Sequence, residues 1–165
     1  MQVFIMRHGQ AEEFTEQSRF DDSQRVLTEQ GKQEAKIMAA WLENKYLKPA
    51  QVLVSPYVRA QQTCDIVTQG WQSDIVTVDF ITPTGDAKQV HDYIDGVISE
   101  LDVNENKQTT LLIVSHMPLV SYLVAQLTQS MHTPIFATAG IVHIDYNVDT
   151  MKGKLLAMIS PMDLR

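Results

Sequence analysis

Residues 1–9 read MQVFIMRHG, an apolar run that leads directly into an arginine, a histidine and a glycine. The short run Gln2–Met6 is typical of a buried strand. A second segment of the same form, TLLIVSHMP at residues 110–118, runs through Thr110–Ser115 into His116. The two segments therefore predict two buried strands, each of which carries a histidine just beyond its carboxyl end.

Strand and helix patterns alternate through the rest of the chain. Further strands are expected at Gln51–Val54 and Ile75–Phe80. Val142, Ile144 and Tyr146 alternate as in a strand, which is expected to pair with Leu155–Ile159 across a turn at Asn147–Gly153. Apolar residues at helical spacing predict four helices. The first follows the N-cap Thr28, runs through Tyr46 and stops at Pro49. The others are expected over Val58–Thr68, from Val90 to Leu101 and from Pro118 to Leu127. This alternation predicts an α/β three-layer sandwich, a mostly parallel central sheet with helices on both faces.

Composition narrows the class of protein further. A length of 165 residues and a mass of 18.7 kDa suit a single domain spanning residues 1–165. Hydrophobic residues make up 44% of the sequence and charged residues 20%, which is ordinary for a globular fold. A net charge of −7 disfavours binding to nucleic acid or to an anionic membrane. The single cysteine, Cys64, excludes an internal disulfide and a cysteine-rich zinc site. We expect a cytoplasmic monomer without a membrane span.

Reactive side chains follow three of the predicted strands. The first strand leads into Arg7 and His8, the second into Ser55 with Arg59 nearby, and the fourth into His116. Because ligands of open α/β sheets bind beyond the carboxyl ends of the strands, two arginines and two histidines are expected at one edge. Guanidinium groups match phosphate oxygens bidentately, so this edge predicts a phosphoryl site. A metal site built on the two histidines is the alternative, and each residue taken singly is an ordinary surface or capping residue.

Several motifs in this order resemble the histidine phosphatase superfamily, which has the phosphoglycerate-mutase-like fold. The similarity is strongest to bacterial phosphohistidine phosphatases of the SixA type and extends over nearly the whole chain. It is carried by MRHG at residues 6–9, RVLT at 25–28 with Gly31, VLVSPYVRAQQT at 52–63, ITPTGD at 81–86, VSHMPLVSYLV at 114–124 and SPMDL at 160–164.

The resemblance implies a role for each matching residue. His8 corresponds to the nucleophile that takes the phosphoryl group, and Arg7 and Arg59 correspond to the arginines that clamp it. His116 corresponds to the second histidine of the pocket, and in its protonated form it would supply positive charge. Arg25 is a further candidate for contact with phosphate or substrate. The expected binding residues also include those that follow the two histidines, Gly9 and Met117.

The general acid is open at this stage. Relatives with this fold use a carboxyl group to protonate an alkoxide leaving group, and Asp86 and Glu12 are the candidates we place first. Glu13, Asp21 and Asp22 lie in the same polar region and stay as further candidates. A phosphohistidine substrate would relax the need for an acid, because imidazole leaves more easily than an alkoxide.

The short stretch between Phe80 and Thr110 predicts a variant of the fold without a lid, since only one helix pattern lies there. An open site suits a phosphorylated side chain on another protein. The resemblance therefore implies a phosphatase without metal or other cofactor that acts on phosphohistidine of a phosphorelay or phosphotransferase-system protein. A phosphatase for small phosphate esters on the same fold is the alternative, and a non-catalytic phosphoprotein-binding module is disfavoured because His8 and the arginines are present.

Overall fold

A computed structural model describes residues 1–16, 18–45, 49–101 and 109–164. Six strands and four α-helices alternate along the chain, together with two short 3₁₀ turns over Asp22–Gln24 and Pro161–Leu164. The strands are β1 (Gln2–Arg7), β2 (Gln51–Val54), β3 (Asp74–Thr77), β4 (Thr110–Ser115), β5 (Ile141–Asn147) and β6 (Lys152–Ile159). The helices are α1 (Glu29–Asn44), α2 (Val58–Val67), α3 (Ala87–Glu100) and α4 (Leu119–Thr128).

The six strands form one sheet in the order β3-β2-β4-β1-β5-β6. The first four strands in that order run parallel, and β5 and β6 add an antiparallel edge. β1 and β4 lie side by side at the centre, with Arg7 opposite Ser115 and, on the far side of β4, Val54 opposite Val114. The carboxyl ends of β1, β2 and β4 therefore meet at one edge, as the sequence predicts.

Two hydrophobic cores form because successive residues of a strand point to opposite faces. In β1, Val3 and Ile5 pack on one face with α3 and α4, whereas Phe4 and Met6 pack on the other face with α1 and α2. All six residues of β4 are buried, because helices cover this central strand on both faces. The predicted α/β sandwich with a mostly parallel sheet and helices on both sides is thus confirmed.

Several element boundaries differ from the prediction. β3 covers only Asp74–Thr77, whereas the predicted strand is Ile75–Phe80, and it begins one residue earlier. It ends there because the chain turns after Val78, where the Ile81 N–H donates to the Val78 carbonyl. β6 begins earlier than expected, at Lys152, and pairs with β5 through a bulge. Pro118 is the residue before α4 rather than its first residue. The expected helical position Tyr46 lies outside the described residues.

The described helices are all too short or too polar to cross a membrane.

Candidate active site

A cavity of about 350 Å³ lies at the carboxyl edge of the parallel strands. Because β1 and β4 are neighbours, the residues that follow them are also neighbours, and the rings of His8 and His116 lie 5.0 Å apart. The cavity is lined by Arg7, His8, Gln10, Ala11, Asp22, Arg25, Arg59, Pro83, His116, Met117 and Thr138. The four residues that the sequence predicts for a phosphoryl site are therefore brought together here.

Hydrogen bonds determine which ring nitrogen of His8 carries the proton. The Nδ1 atom lies 2.7 Å from the Gly9 carbonyl oxygen, which can only accept, so Nδ1–H donates. In the neutral ring Nε2 then keeps its lone pair, and the Nε–H of Arg59 donates to it across 3.3 Å. The sheet edge thus presents an unprotonated imidazole nitrogen, the form in which histidine is a nucleophile.

A similar argument applies to His116. Its Nε2 lies 2.7 Å from the hydroxyl oxygen of Ser55, which also accepts from the N–H of Tyr57 at 3.2 Å. In the tautomer in which the Ser55 hydroxyl donates to Nε2, the ring hydrogen of His116 lies on Nδ1. That Nδ1 is buried and has no partner within the described residues. A buried N–H of this kind suits an oxyanion acceptor.

Three arginines supply the positive charge of the cavity. Arg7 donates from Nη1 to the Phe136 carbonyl at 2.7 Å, and its buried Nε has no partner in the described part of the chain. Arg59 donates to the carbonyl and to Oδ2 of Asp22 at 2.8 and 3.0 Å. The Nε of Arg25 donates to the other oxygen of the same carboxylate at 2.7 Å. Each guanidinium is thus held by hydrogen bonds and has further N–H groups for a ligand.

Comparison with known proteins shows what this arrangement resembles. Residues 3–82 match the family model of the histidine phosphatase superfamily (branch 1). Over its whole length the chain is 35% identical to the phosphohistidine phosphatase SixA of Escherichia coli, covering 97% of that protein. The chain belongs to the histidine phosphatase superfamily.

Further relatives agree with this assignment. A SixA homologue of Haemophilus influenzae is 37% identical over 136 residues, which cover 77% of each chain. The solved structure of SixA complexed with tungstate superposes with a TM-score of 0.87, at 35% identity and with full coverage of both chains. An α-ribazole phosphatase of Shigella flexneri, at 19% identity, a TM-score of 0.68 and 97–98% coverage, shares the fold.

Burial and positive neighbours keep both histidines of this histidine phosphatase neutral. Desolvation, together with the charges of Arg59, Arg7 and Arg25, lowers the pKa of His8 to about 4, although the hydrogen bond to the Gly9 carbonyl acts in the opposite direction. Desolvation, His8 and Arg59 lower the pKa of His116 to about 2. A neutral His8 is ready for attack, whereas the protonated His116 expected from the sequence is not the form present at neutral pH. His116 acts instead as a neutral N–H donor.

The lowered pKa of His8 predicts a loss of stability in mild acid. The unfolded chain binds a proton at this residue below about pH 6.5, whereas the folded protein does so only near pH 4. Stability that is present at pH 8 is therefore lost as the pH falls through this window, by about 2 kcal/mol at pH 5. We expect the free energy of unfolding in urea to fall more steeply between pH 8 and pH 5 for the wild type than for His8→Asn. Parallel pH curves for the two proteins would contradict this.

Not every predicted site residue lines the cavity. Asp86 instead caps α3 by accepting from the Lys88 N–H at 2.9 Å, and it is absent from the cavity lining. Glu12 touches the site only through its backbone carbonyl, which accepts from Arg25 at 3.2 Å. Met117 lies in the lining as expected.

Gly9 has a different role from the expected phosphate contact. Its N–H donates to Thr63 Oγ1 at 3.0 Å, so it is not free for a ligand. A Cβ atom at this position would lie 2.5 Å from the carbonyl oxygen of Gly31 in the first turn of α1. Only glycine permits this approach of two backbones.

Sequence reasoning missed Glu34, which supports the cavity, and gave no role to Ser55. Glu34 on α1 is 7% exposed and accepts from Gln10 N–H at 2.9 Å and from the Thr138 hydroxyl at 2.9 Å. Its negative charge also raises the pKa of Arg7 against the effect of burial. Ser55 orients His116. A buried glutamate on an otherwise apolar helix face is not visible in the helical pattern, because glutamate usually lies on the solvent side.

Proposed function

We propose that this protein is a phosphohistidine phosphatase that transfers the phosphoryl group from a phosphohistidine of a partner protein to His8 and then to water. The observation that carries the proposal is the neutral His8, whose Nε2 faces the cavity between Arg59 and His116. The full-length similarity to the phosphohistidine phosphatase SixA supports the same chemistry.

In the first step the phosphoryl oxygens dock against Arg7, Arg59 and the Nδ1–H of His116. The lone pair on Nε2 of His8 attacks phosphorus, a new P–N bond forms, and the bond to the substrate's imidazole breaks with its electron pair going to the departing ring nitrogen. Alignment and stabilisation of charge on the equatorial oxygens account for most of the catalysis of such transfers. The guanidinium groups supply that charge.

In the second step a water molecule attacks phosphorus from the side that the leaving group has vacated. The bond to Nε2 breaks, inorganic phosphate forms with the protons of the water, and His8 returns to its neutral state. The covalent intermediate divides one difficult substitution into two easier ones. The hydrogen bond from Nδ1 to Gly9 is present throughout and stabilises the positive charge on the phosphorylated ring.

The proposed partner is a phosphohistidine-bearing phosphorelay or phosphotransferase-system protein, and the proposed compartment is the cytoplasm. The lining residues come from the end of β1, the first 3₁₀ turn, the start of α2 and the connecting loops, and α3 is the only described helix between β3 and β4. Such a cavity is reached from the protein surface, which suits a phosphorylated side chain. We propose that the protein acts as a monomer.

A substrate panel tests this function. We expect phosphate release from a phosphohistidine protein, such as an isolated His-phosphotransfer domain, at a kcat/KM at least about 100-fold above that for sugar phosphates, since an alkoxide needs a proton donor and imidazole does not. The measurement is phosphate release at pH 7.5 with each substrate, with and without a chelator.

The panel also separates the alternatives. Equal or faster turnover of small esters would replace the proposed function with a broad phosphomonoesterase. Loss of activity with the chelator would indicate a metal enzyme that uses His8 and His116 as ligands. Phosphoprotein binding without any phosphate release would indicate a binding module.

A further inference from the structure

Asp22 lines the cavity and is more exposed than the residues predicted to bind the phosphoryl group. The side chains of His8, His116 and Arg59 form the floor and are at most 7% exposed, whereas the side chain of Asp22 is 39% exposed. In an in-line displacement the leaving group lies opposite the nucleophile. With His8 on the floor, the leaving group therefore points to the mouth and to Asp22.

Asp22 provides the one carboxylate among the lining residues that the structure describes. Its Oδ1 accepts from Arg25 and its Oδ2 accepts from Arg59. Because each carboxylate oxygen has two lone pairs, two acceptor positions are left for a group that enters the mouth. The carboxylate is thus held in place and can still bind a donor.

The charge of Asp22 is constant at neutral pH. Burial alone would raise its pKa, but hydrogen bonds and charge from Arg25 and Arg59 outweigh burial and lower the pKa below its usual value. A carboxylate in this state is a poor proton donor. It is a fixed negative charge and a hydrogen-bond acceptor instead.

The two classes of phosphoryl substrate respond to such a charge in opposite ways. A phosphorylated imidazole has a second ring nitrogen, and when that nitrogen is protonated the ring departs as neutral imidazole. An alkyl or aryl phosphate has no corresponding site for a proton, and its leaving oxygen becomes negative. A fixed anion at the mouth therefore favours departure of an imidazole and disfavours departure of an alkoxide or phenoxide.

We propose that Asp22 accepts a hydrogen bond from the protonated ring of the substrate's phosphohistidine and so selects phosphorylated imidazoles over phosphate esters. The inference rests on the proposed function and deepens it. In the step itself His8 Nε2 bonds to phosphorus, the substrate's P–N bond breaks towards the ring, and the ring keeps its proton on the nitrogen that faces Asp22. No proton changes place, so Asp22 is needed as an anion and not as an acid.

Several charged or titratable groups share the cavity with Asp22. Arg59 on α2 and Arg25 in the same loop contact it, and Arg7, His8 and His116 lie across the cavity. Arg7, Arg59 and His116 face the phosphoryl oxygens in the proposed complex, and the dianionic group offsets the two guanidinium charges. The carboxylate is then the group at the mouth that is free to compensate a positive ring.

The test compares Asp22→Asn with the wild type on a phosphohistidine peptide and on 4-nitrophenyl phosphate. We expect kcat/KM for the peptide to fall by about 10- to 100-fold, the value of one hydrogen bond between charged groups. The value for the aryl ester should stay constant or rise, because an anion has been removed from beside the phosphate. The alkaline limb of the peptide's pH profile should move to lower pH in the variant, because the substrate ring loses its stabilising anion and its proton is released earlier.

Asp21→Asn is the matched control, because Asp21 is the N-cap of the 3₁₀ turn that contains Asp22 and accepts from Ser23 without lining the cavity. Asp21→Asn should have the wild-type kcat/KM for both substrates and the wild-type pH profile. The inference is overturned if Asp22→Asn lowers kcat/KM equally for both substrates, which would indicate that Asp22 only positions Arg59. It is also overturned if kcat/KM changes for neither substrate. A wild type that hydrolyses the aryl ester but no phosphohistidine peptide would instead reject the proposed function.

Discussion

Replacing His8 with alanine is expected to abolish phosphate release from phosphohistidine substrates, with kcat falling by about 10⁴-fold or more. The Nε2 atom of His8 is the nucleophile of the proposed cycle, and the other imidazole of the described lining, His116, has its Nε2 hydrogen-bonded to Ser55. Only orientation by the arginines would persist, and water would have to attack the bound phosphoryl group directly.

The measurement has two parts. Steady-state phosphate release gives the loss of turnover, and acid-labile ³²P bound to the protein after rapid quenching reports the covalent intermediate, which we expect in the wild type and not in His8→Ala. His132→Ala is the control, since His132 is exposed and does not line the cavity. A His8→Ala protein that turns over at the wild-type rate would falsify the covalent mechanism.

Replacing Arg59 with alanine is expected to lower kcat/KM by about 10³-fold, because a guanidinium that binds the transferred group is worth that much in other phosphoryl-transfer enzymes. Several contacts of Arg59 are lost together. The Nε–H no longer orients His8, and the Nη groups no longer bind the phosphoryl oxygens or neutralise Asp22. The freed carboxylate then repels the substrate.

Arg59→Lys should recover only part of this activity, because an ammonium group cannot contact His8 and Asp22 simultaneously in the geometry of the guanidinium. The measurements are kcat/KM and the Kd of inorganic phosphate, together with a thermal melt to confirm folding. Arg19→Ala serves as the control, since Arg19 lies exposed in the loop before Asp22 and is not in the cavity lining. A folded Arg59→Ala protein with wild-type kcat/KM would remove Arg59 from the clamp.

The central part of the fold is readable from sequence because β1 and β4 are short, continuous apolar runs with a reactive residue after each. Such runs belong in the middle of a covered sheet, and residues that follow neighbouring parallel strands must converge. The sequence does not state that β4 lies beside β1, because hydrophobic periodicity identifies strands but not their partners. The pairing becomes visible only in the register of Arg7 with Ser115.

The rest of the site depends on packing that no local pattern reports. Asp22 comes from a polar loop without periodicity, and its contact with Arg59 joins residues that are 37 positions apart. Asp86 follows β3, and its position predicts a place at the sheet edge. Its side chain instead accepts a hydrogen bond from the Lys88 N–H at the start of α3. The neutral state of His116 follows from complete burial beside His8, which depends on the assembled tertiary structure.

The contact between Gly9 and Gly31 has a consequence for how the enzyme tolerates change. The first turn of α1 rests directly on the backbone that carries the nucleophile, without a side chain between them to absorb a shift. The helix and the backbone beside His8 are therefore in direct contact. A substitution that tilts α1 is expected to shift the His8 ring as well. We therefore expect substitutions at the base of α1 to disturb the position of His8 more than substitutions on the outer face of that helix.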